Sequence, residues 1–127
     1  MSPLITVDAR PRIQADGDGR WQVTGLRCPS CREVAAYVWP SCPACGGEPE
    51  PAVFGPEGTV WSGTVVRIPI ADRTPPYALA YVDLDDGPRI LAHLAGEWPE
   101  GRAPTIGCRV RLTEPSAAGD PRVEVLR

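Results

Sequence analysis

The chain has 127 residues, a net charge of -3 and a hydrophobic fraction of 43%. This length fits one globular domain with a small appendage. No apolar run reaches the roughly 20 residues that a membrane helix needs, and the N-terminus lacks a secretory signal. We therefore expect a cytoplasmic protein that makes no membrane contact.

The basic residues of the chain are all arginines, thirteen in number. Without lysine, the chain cannot form a Schiff base or build a phosphate-binding loop of the usual kind. The arginines are scattered among acids, whereas a domain that binds nucleic acid shows a basic face or stripe. The composition therefore argues against nucleic acid as the ligand.

The first half of the chain predicts a flexible arm, a cysteine-rich unit and a connector. Residues 1–19 are rich in Pro, Asp and Gly, which favours an arm without regular structure. Alternation over residues 19–27 predicts a strand that enters the cysteine-rich unit, which we place at residues 20–50. Pro49 and Pro51 predict an irregular connector over residues 48–56.

The second half of the chain predicts a series of short strands. The predicted strands cover residues 59–70, 77–84, 88–94, 108–113 and 122–126, with a hairpin turn at residues 85–87. Gly and Pro between residues 95 and 107 leave room only for one short turn near residues 97–100. Five strands without a convincing helix favour an OB-fold barrel over residues 51–127, with a five-stranded open sandwich as the alternative.

Four of the five cysteines form two Cys-x-x-Cys pairs, Cys28 with Cys31 and Cys42 with Cys45. Each pair is spaced to form a tight turn whose backbone amides point at the sulfurs, and Gly46 permits the turn that follows the second pair. Four thiolates would close a tetrahedron around one ion and leave no open position. We therefore predict a structural Zn²⁺ site in a rubredoxin-like zinc ribbon.

Three other uses of these cysteines compete with zinc. Disulfides are disfavoured in a cytoplasmic chain, and a thioredoxin-like redox pair would need a strand-to-helix context that is missing. Iron in place of zinc would make the chain a rubredoxin-like electron carrier. Metal analysis separates zinc from iron.

No other motif in the sequence carries recognisable chemistry. Cys108 opens a predicted strand and is expected to be a small buried residue. His93 lacks a neighbouring Ser, Cys or carboxylate motif, and Asp83, Asp85 and Asp86 are expected to be solvated turn acids. We expect no catalytic residues, and the chain reads as a binding or scaffolding module.

Aromatic residues mark candidate interfaces on such a module. Trp39, Trp61 and Tyr77 are candidates for a partner interface, because aromatic side chains often anchor interfaces. A single-stranded nucleic-acid binder is the hypothesis from another class, since OB barrels and zinc ribbons both serve that role. Only Trp61 with Arg67 comes near the required pairing of an aromatic and a basic residue.

The order of these parts resembles an acyl-CoA-associated OB-fold family with an N-terminal rubredoxin-like zinc ribbon, long catalogued as a domain of unknown function. The resemblance covers about residues 20–127. The residues that carry it are the four paired cysteines, Gly58-Thr59-Val60 with Thr64-Val65-Val66, Pro76-Tyr77, and Asp86-Gly87-Pro88-Arg89.

Members of that family accompany thiolase-like enzymes, lipid-transfer-protein-type aldolases of steroid side-chain breakdown, polyketide acyltransferases or hot-dog-fold enoyl-CoA hydratases. The resemblance implies a non-catalytic subunit of a hetero-oligomer, for example a heterotetramer, whose partner holds the catalytic residues. It also implies contact with the phosphates of coenzyme A, for which the candidates are Arg67, Arg73, Arg89 and Arg102. The chain departs from many members in lacking a helical N-terminal segment. Both a standalone subunit and a domain excised from a fusion fit this pattern.

Overall fold

The computed structural model describes residues 10–70, 73–96 and 102–126, and within them it forms nine strands in two sheets. The first sheet holds β1 Arg12–Ala15, β2 Trp21–Arg27, β3 Val34–Ala35 and β4 Glu50–Phe54. The second sheet holds β5 Glu57–Val66, β6 Tyr77–Leu84, β7 Arg89–Leu94, β8 Arg109–Thr113 and β9 Arg122–Val125. None of the described residues belongs to a helix that could cross a membrane.

The second sheet closes on itself as a five-stranded barrel in the order β5-β6-β7-β9-β8. The pair β7–β9 is parallel and the other pairs are antiparallel. The predicted OB-fold barrel is therefore confirmed, and the open sandwich is wrong. The predicted short turn at residues 97–100 lies outside the described residues.

The strand ends follow the sequence prediction closely, except in β5. Strands β6 to β9 match their predicted ranges to within one residue at each end. Strand β5 covers Glu57–Val66 instead of residues 59–70. It ends early because the following Ile68-Pro69-Ile70 segment contains a proline, which has no N–H to donate to a strand ladder.

The first sheet corrects the prediction of an irregular connector at residues 48–56. Strand β4, Glu50–Phe54, pairs with the whole of Val23–Arg27, and Pro51 lies opposite Leu26. Among the described strands β4 pairs only with β2, so it is an edge strand. An edge strand tolerates proline, because its outward-facing backbone has no ladder partner to lose.

The stretch expected as a flexible arm also contains regular structure at its C-terminal end. Strand β1 pairs with Trp21–Thr24 of β2. The carboxylate of Asp16 accepts hydrogen bonds from the amides of Asp18 and Arg20, and Gly19 has a φ of 78°. This Asp-Gly-Asp-Gly turn makes β1 and β2 a hairpin. The division of the chain into arm, ribbon and barrel stays a prediction.

The two sheets share one hydrophobic core. Val23 and Phe54 of the first sheet, with Ala36 just after β3, pack in the same buried cluster as Val60, Val82, Ile90 and other inward-facing barrel residues. The turn between β6 and β7 of the barrel packs against the first sheet. A Cβ added at Gly87 would lie 2.8 Å from the Phe54 ring, and Arg27 Nη2 donates to the Asp86 carbonyl at 3.1 Å. Glycine at residue 87 is what permits this close approach.

Candidate metal centre and aromatic groove

The two cysteine pairs form turns of the same geometry. Arg32 N donates to the Cys28 carbonyl at 2.8 Å, and Gly46 N donates to the Cys42 carbonyl at 2.9 Å. Each turn is closed by a bond in the other direction, from Cys28 N to the Glu33 carbonyl and from Cys42 N to the Gly47 carbonyl, both at 2.8 Å. These are the paired metal-binding turns that the spacing predicts.

The four sulfur atoms lie together, and all are within 4.8 Å of one another. The separations Cys28–Cys45 and Cys31–Cys42 are both 3.6 Å. A tetrahedron with metal–sulfur bonds of about 2.3 Å has edges of about 3.8 Å, whereas a disulfide bond measures about 2.05 Å. The geometry therefore fits a metal held by four sulfurs and not a pair of disulfides.

Backbone amides surround the sulfurs and favour their thiolate forms. Ala44 N donates to Cys42 Sγ and Gly47 N donates to Cys45 Sγ, both at 3.4 Å. The amides of Cys31 and Ser30 hold the pKa of Cys28 at about 7. The amide of Glu33 favours the Cys31 thiolate, but burial and the neighbouring thiols outweigh it and raise the pKa of Cys31 to about 12. Four adjacent thiolates need a cation, which a bound metal supplies.

The outer face of the barrel carries an exposed aromatic cluster. The β5–β6 register shifts between Val60 and Ser62, so Trp61 is the extra residue of a β-bulge. Its indole meets the Tyr81 ring edge-on at 6.2 Å, and the Arg89 guanidinium lies 3.7 Å from the indole centroid. Tyr81 faces Leu91 across β6 and β7. Trp61, Tyr81 and Leu91 are 51%, 46% and 43% exposed. A β-bulge commonly redirects a side chain, as it does here for the exposed Trp61.

The segment between the two metal-binding turns carries a second aromatic pair. Tyr37 and Trp39 stack with ring centroids 5.9 Å apart and are both exposed. A groove of ≈ 400 Å³ lies between Tyr37 on one wall and Tyr81 with Leu91 on the other. Trp39 lines an adjoining cavity that also includes Tyr37, and Trp61 contacts the Tyr81 ring. We call the groove, with these two tryptophans on its flanks, the aromatic groove.

Asp120 lines the aromatic groove and accepts hydrogen bonds from two arginines. Arg73 donates to its carboxylate from Nε at 3.0 Å and from Nη2 at 2.6 Å, and Arg10 donates from Nη1 at 3.2 Å. The Asp120 amide donates to Ser116 Oγ at 2.9 Å. The hydrogen bond from Arg73 is the main cause that lowers the pKa of Asp120. Arg10 also donates to the Ala118 carbonyl, so residue 10 is fastened to the loop before β9.

His93 lies beside the same carboxylate. Its Nε2 is 3.5 Å from Asp120 Oδ2, and its ring stacks on Tyr77 with centroids 5.3 Å apart. Burial lowers the pKa of His93, while Asp120 opposes that shift. The sequence placed His93 on a strand, but it contained no sign of this partner, which lies 27 residues further along.

The structure brings some of the sequence-predicted site residues together and separates others. Trp39 and Trp61 flank the aromatic groove, and Tyr77 is on the same outer face of β6 as Tyr81. Arg73 forms a salt bridge with Asp120, and Arg89 forms one with Asp83.

The remaining candidates lie elsewhere. Arg102 lines a separate cavity of ≈ 180 Å³ with Cys108, and Arg67 follows the end of β5. Cys108 is half-buried, and burial raises the pKa of its thiol. Tyr37, Tyr81 and Asp120 were not predicted, because only the pairing of distant segments places them at one groove.

Comparison with known proteins places these features in context. Residues 52–113 match the family model described as the ChsH2 C-terminal OB-fold domain. The benzoylsuccinyl-CoA thiolase subunit BbsA of Thauera aromatica is 32% identical over 96 residues, which are 74% of this chain and 67% of that protein. A DUF35 domain-containing scaffold protein of Pyrococcus furiosus is 41% identical over 64 residues, which are 48% of this chain and 47% of that protein.

Two solved structures are similar to this chain over more than four fifths of its length. The Ltp2–ChsH2(DUF35) aldolase superposes with a TM-score of 0.65 and 26% identity, over 82% of this chain and 84% of that chain. A DUF35-family protein from Sulfolobus solfataricus superposes with a TM-score of 0.59 and 17% identity, over 83% of this chain and 76% of that chain. The second likeness shows the fold alone.

Proposed function

Since this chain belongs to the DUF35 family of ChsH2-type OB-fold proteins, we propose that it is the non-catalytic partner subunit of a thiolase-like enzyme acting on acyl-CoA. The family resemblance inferred from the cysteine pairs and the barrel motifs is confirmed. The relatives named as a thiolase subunit and as part of an aldolase support a thiolase or a lipid-transfer-protein-type aldolase as the partner. A hydratase partner is the alternative.

The observation that carries the proposal is the closed metal centre. Four protein sulfurs complete a tetrahedron, so a bound ion has no open position for substrate or water. A catalytic thiol would need a histidine partner. Among the described residues, the half-buried Cys108 lines a cavity that does not include His93, so the thiol and the imidazole do not share a site. These features support a subunit whose partner performs the reaction on acyl-CoA.

We propose that the metal is structural Zn²⁺. A site of four thiolates in paired turns suits zinc, and it also suits the single iron of a rubredoxin-like carrier. Elemental analysis of the purified protein separates the two. About one zinc per chain supports the proposal, whereas stoichiometric iron with a visible thiolate-to-iron absorption band contradicts it.

The role of the arginines in holding a CoA thioester stays a prediction. Arg73 and Arg89 would have to exchange a carboxylate for a phosphate group. The exposed Arg102 has no such competitor among the described residues. A role in steroid or other lipid degradation is proposed from the family resemblance.

Co-expression with a thiolase-like protein from the same genome tests the proposed function. We expect the two chains to elute together in size exclusion at micromolar concentration, and we expect acyl-CoA turnover to require the partner. Two separate elution peaks, or turnover of acyl-CoA by this chain alone, would contradict the proposal.

A further inference from the structure

We infer that the aromatic groove is the docking surface for the catalytic partner, and that it receives an apolar, uncharged segment of that protein. This inference rests on the proposed function and adds to it the surface and the chemistry of the contact. Three independent observations support it: the way Trp61 is presented, the pairing of the arginines around the groove, and the origin of its two walls.

The bulge at Trp61 presents a large apolar side chain that folding leaves half exposed. Trp61, Tyr81 and Leu91 come from three adjacent strands and remain 51%, 46% and 43% exposed on one face. The Arg89 guanidinium covers one face of the indole at 3.7 Å and is itself held by Asp83 at 2.6 Å. The indole is therefore held at a fixed orientation before any partner binds, which lowers the entropic cost of docking.

The arginines that border the groove are each engaged by a carboxylate of the chain. Arg89 is paired with Asp83 at 2.6 Å, and Arg73 and Arg10 share Asp120 at 2.6 Å and 3.2 Å. A phosphate backbone would have to displace these carboxylates to gain an arginine, so the face is poorly suited to nucleic acid. An exposed aromatic surface whose bordering arginines are already paired with carboxylates is instead complementary to an apolar patch of a protein.

The two walls of the groove come from different parts of the fold. Tyr81 and Leu91 belong to the barrel, whereas Tyr37 lies in the segment between the two metal-binding turns. Cys31 and Cys42 bound that segment, and their sulfurs lie 3.6 Å apart. A metal held between those sulfurs therefore fixes both ends of the segment that carries Tyr37 and Trp39.

Two variants on the barrel wall test the inference, with the co-expressed thiolase-like protein as the probe. We expect Trp61→Ala and Leu91→Ser each to raise the dissociation constant by about tenfold or more, as expected for apolar interface anchors. Val125→Thr is the matched control. It removes apolar character from a 37% exposed residue of β9 that lines a different cavity, so its affinity should equal that of the unaltered chain.

Metal content and the thermal transition of each variant show whether it is folded. Unchanged affinity in folded Trp61→Ala and Leu91→Ser would overturn the inference and leave the proposed function intact. Absence of a complex with the unaltered chain would instead overturn the proposed function and the inference with it. Tight binding of a labelled single-stranded oligonucleotide that Trp61→Ala abolishes would also overturn the inference, because the groove would then be a nucleic-acid surface.

Discussion

Arg32 and Gly46 occupy the same position in the two metal-binding turns, and both have a left-handed backbone, with φ of 67° and 77°. Each residue directly follows the second cysteine of its pair, and each amide donates to the carbonyl of the first cysteine. The second turn uses glycine, which adopts this conformation without strain, whereas the first turn imposes it on arginine.

This asymmetry predicts unequal effects of two substitutions. Gly46→Ala should lower the free energy of unfolding by about 1–2 kcal/mol, because an L-residue with a Cβ is strained at this φ. Nothing lies within 4 Å of a Cβ built on Gly46, so the cost arises from the backbone and not from a clash. Arg32→Gly should change stability by less than about 1 kcal/mol, because relief of strain offsets the greater freedom of the unfolded chain.

Urea unfolding of the metal-loaded proteins measures both effects. Equal destabilisation by Gly46→Ala and Arg32→Gly would show that the backbone conformation of residue 32 has no energetic role.

Cys42→Ser should remove the metal, and Cys108→Ser should retain it. Cys42 is buried among the four clustered sulfurs, whereas Cys108 is half-buried beside Leu94 and Val125. We expect the metal content to fall from about one ion per chain to a small fraction in Cys42→Ser, because three thiolates leave the tetrahedron incomplete. Elemental analysis after dialysis against a chelator measures the difference.

Loss of the metal should also weaken docking if the segment with Tyr37 and Trp39 forms one wall of the interface. We expect Cys42→Ser to bind the thiolase-like partner at least tenfold more weakly, while Cys108→Ser binds normally. A variant that lost the metal and still bound the partner with unchanged affinity would confine the docking surface to the barrel.

Phe54→Ala should destabilise the two sheets together. Phe54 is 3% exposed, lies against Gly87 of the barrel and has the Arg27 guanidinium 5.6 Å from its centroid. Removal of a buried phenyl ring from a shared core costs about 3–5 kcal/mol. Val53→Ala, at the 49% exposed neighbour on the other face of β4, should cost less than about 0.5 kcal/mol.

Probes in both sheets should report one unfolding transition of Phe54→Ala at lower denaturant concentration. Tryptophan fluorescence follows the loss of tertiary structure, and release of the metal to a colorimetric chelator follows the ribbon. Two separated transitions would mean that the ribbon and the barrel unfold independently and that the core is not shared.

The sequence was informative wherever a local pattern determines the structure. Cysteine spacing predicted the metal-binding turns, and alternation predicted β6 to β9, because each depends on a few neighbouring residues. Pro51 led to a wrong prediction. The energetic cost of a proline depends on whether its strand is central or at the edge of a sheet, and a local sequence pattern does not show this. The bulge at Trp61 was equally hidden, because a register shift is a property of two strands.

The site was less predictable than the fold. Trp39 and Trp61 could be selected as candidate anchors from residue type alone, but the groove between them depends on how the segment that carries Tyr37 packs against the barrel. Asp120 was missed for a related reason. Its polar partners Arg10, Arg73 and His93 are separated from it by 110, 47 and 27 residues along the chain. No short-range motif links them.

Stability should fall as the pH decreases through the titration of His93. Burial lowers the pKa of His93 from 6.5, with Asp120 opposing the shift and Arg73 and Arg122 adding to it. The unfolded chain therefore binds a proton at His93 at a higher pH than the folded chain does. Stability from this group is complete above about pH 6.5 and is lost as the pH falls toward the folded-state pKa. Asp120 stays ionised over this range, because its own pKa is lowered below 3.8 by Arg73.

His93→Gln isolates this contribution from the protonation of the metal-binding thiolates, which both proteins share. We expect the free energy of unfolding to decline less steeply between pH 7 and pH 5 in His93→Gln than in the unaltered chain, since glutamine does not titrate there. Urea unfolding at closely spaced pH values, with metal content checked at each pH, measures the two slopes. Parallel slopes would mean that His93 has the same proton affinity in both states, and the burial seen beside Tyr77 and Asp120 would then have no effect on its titration.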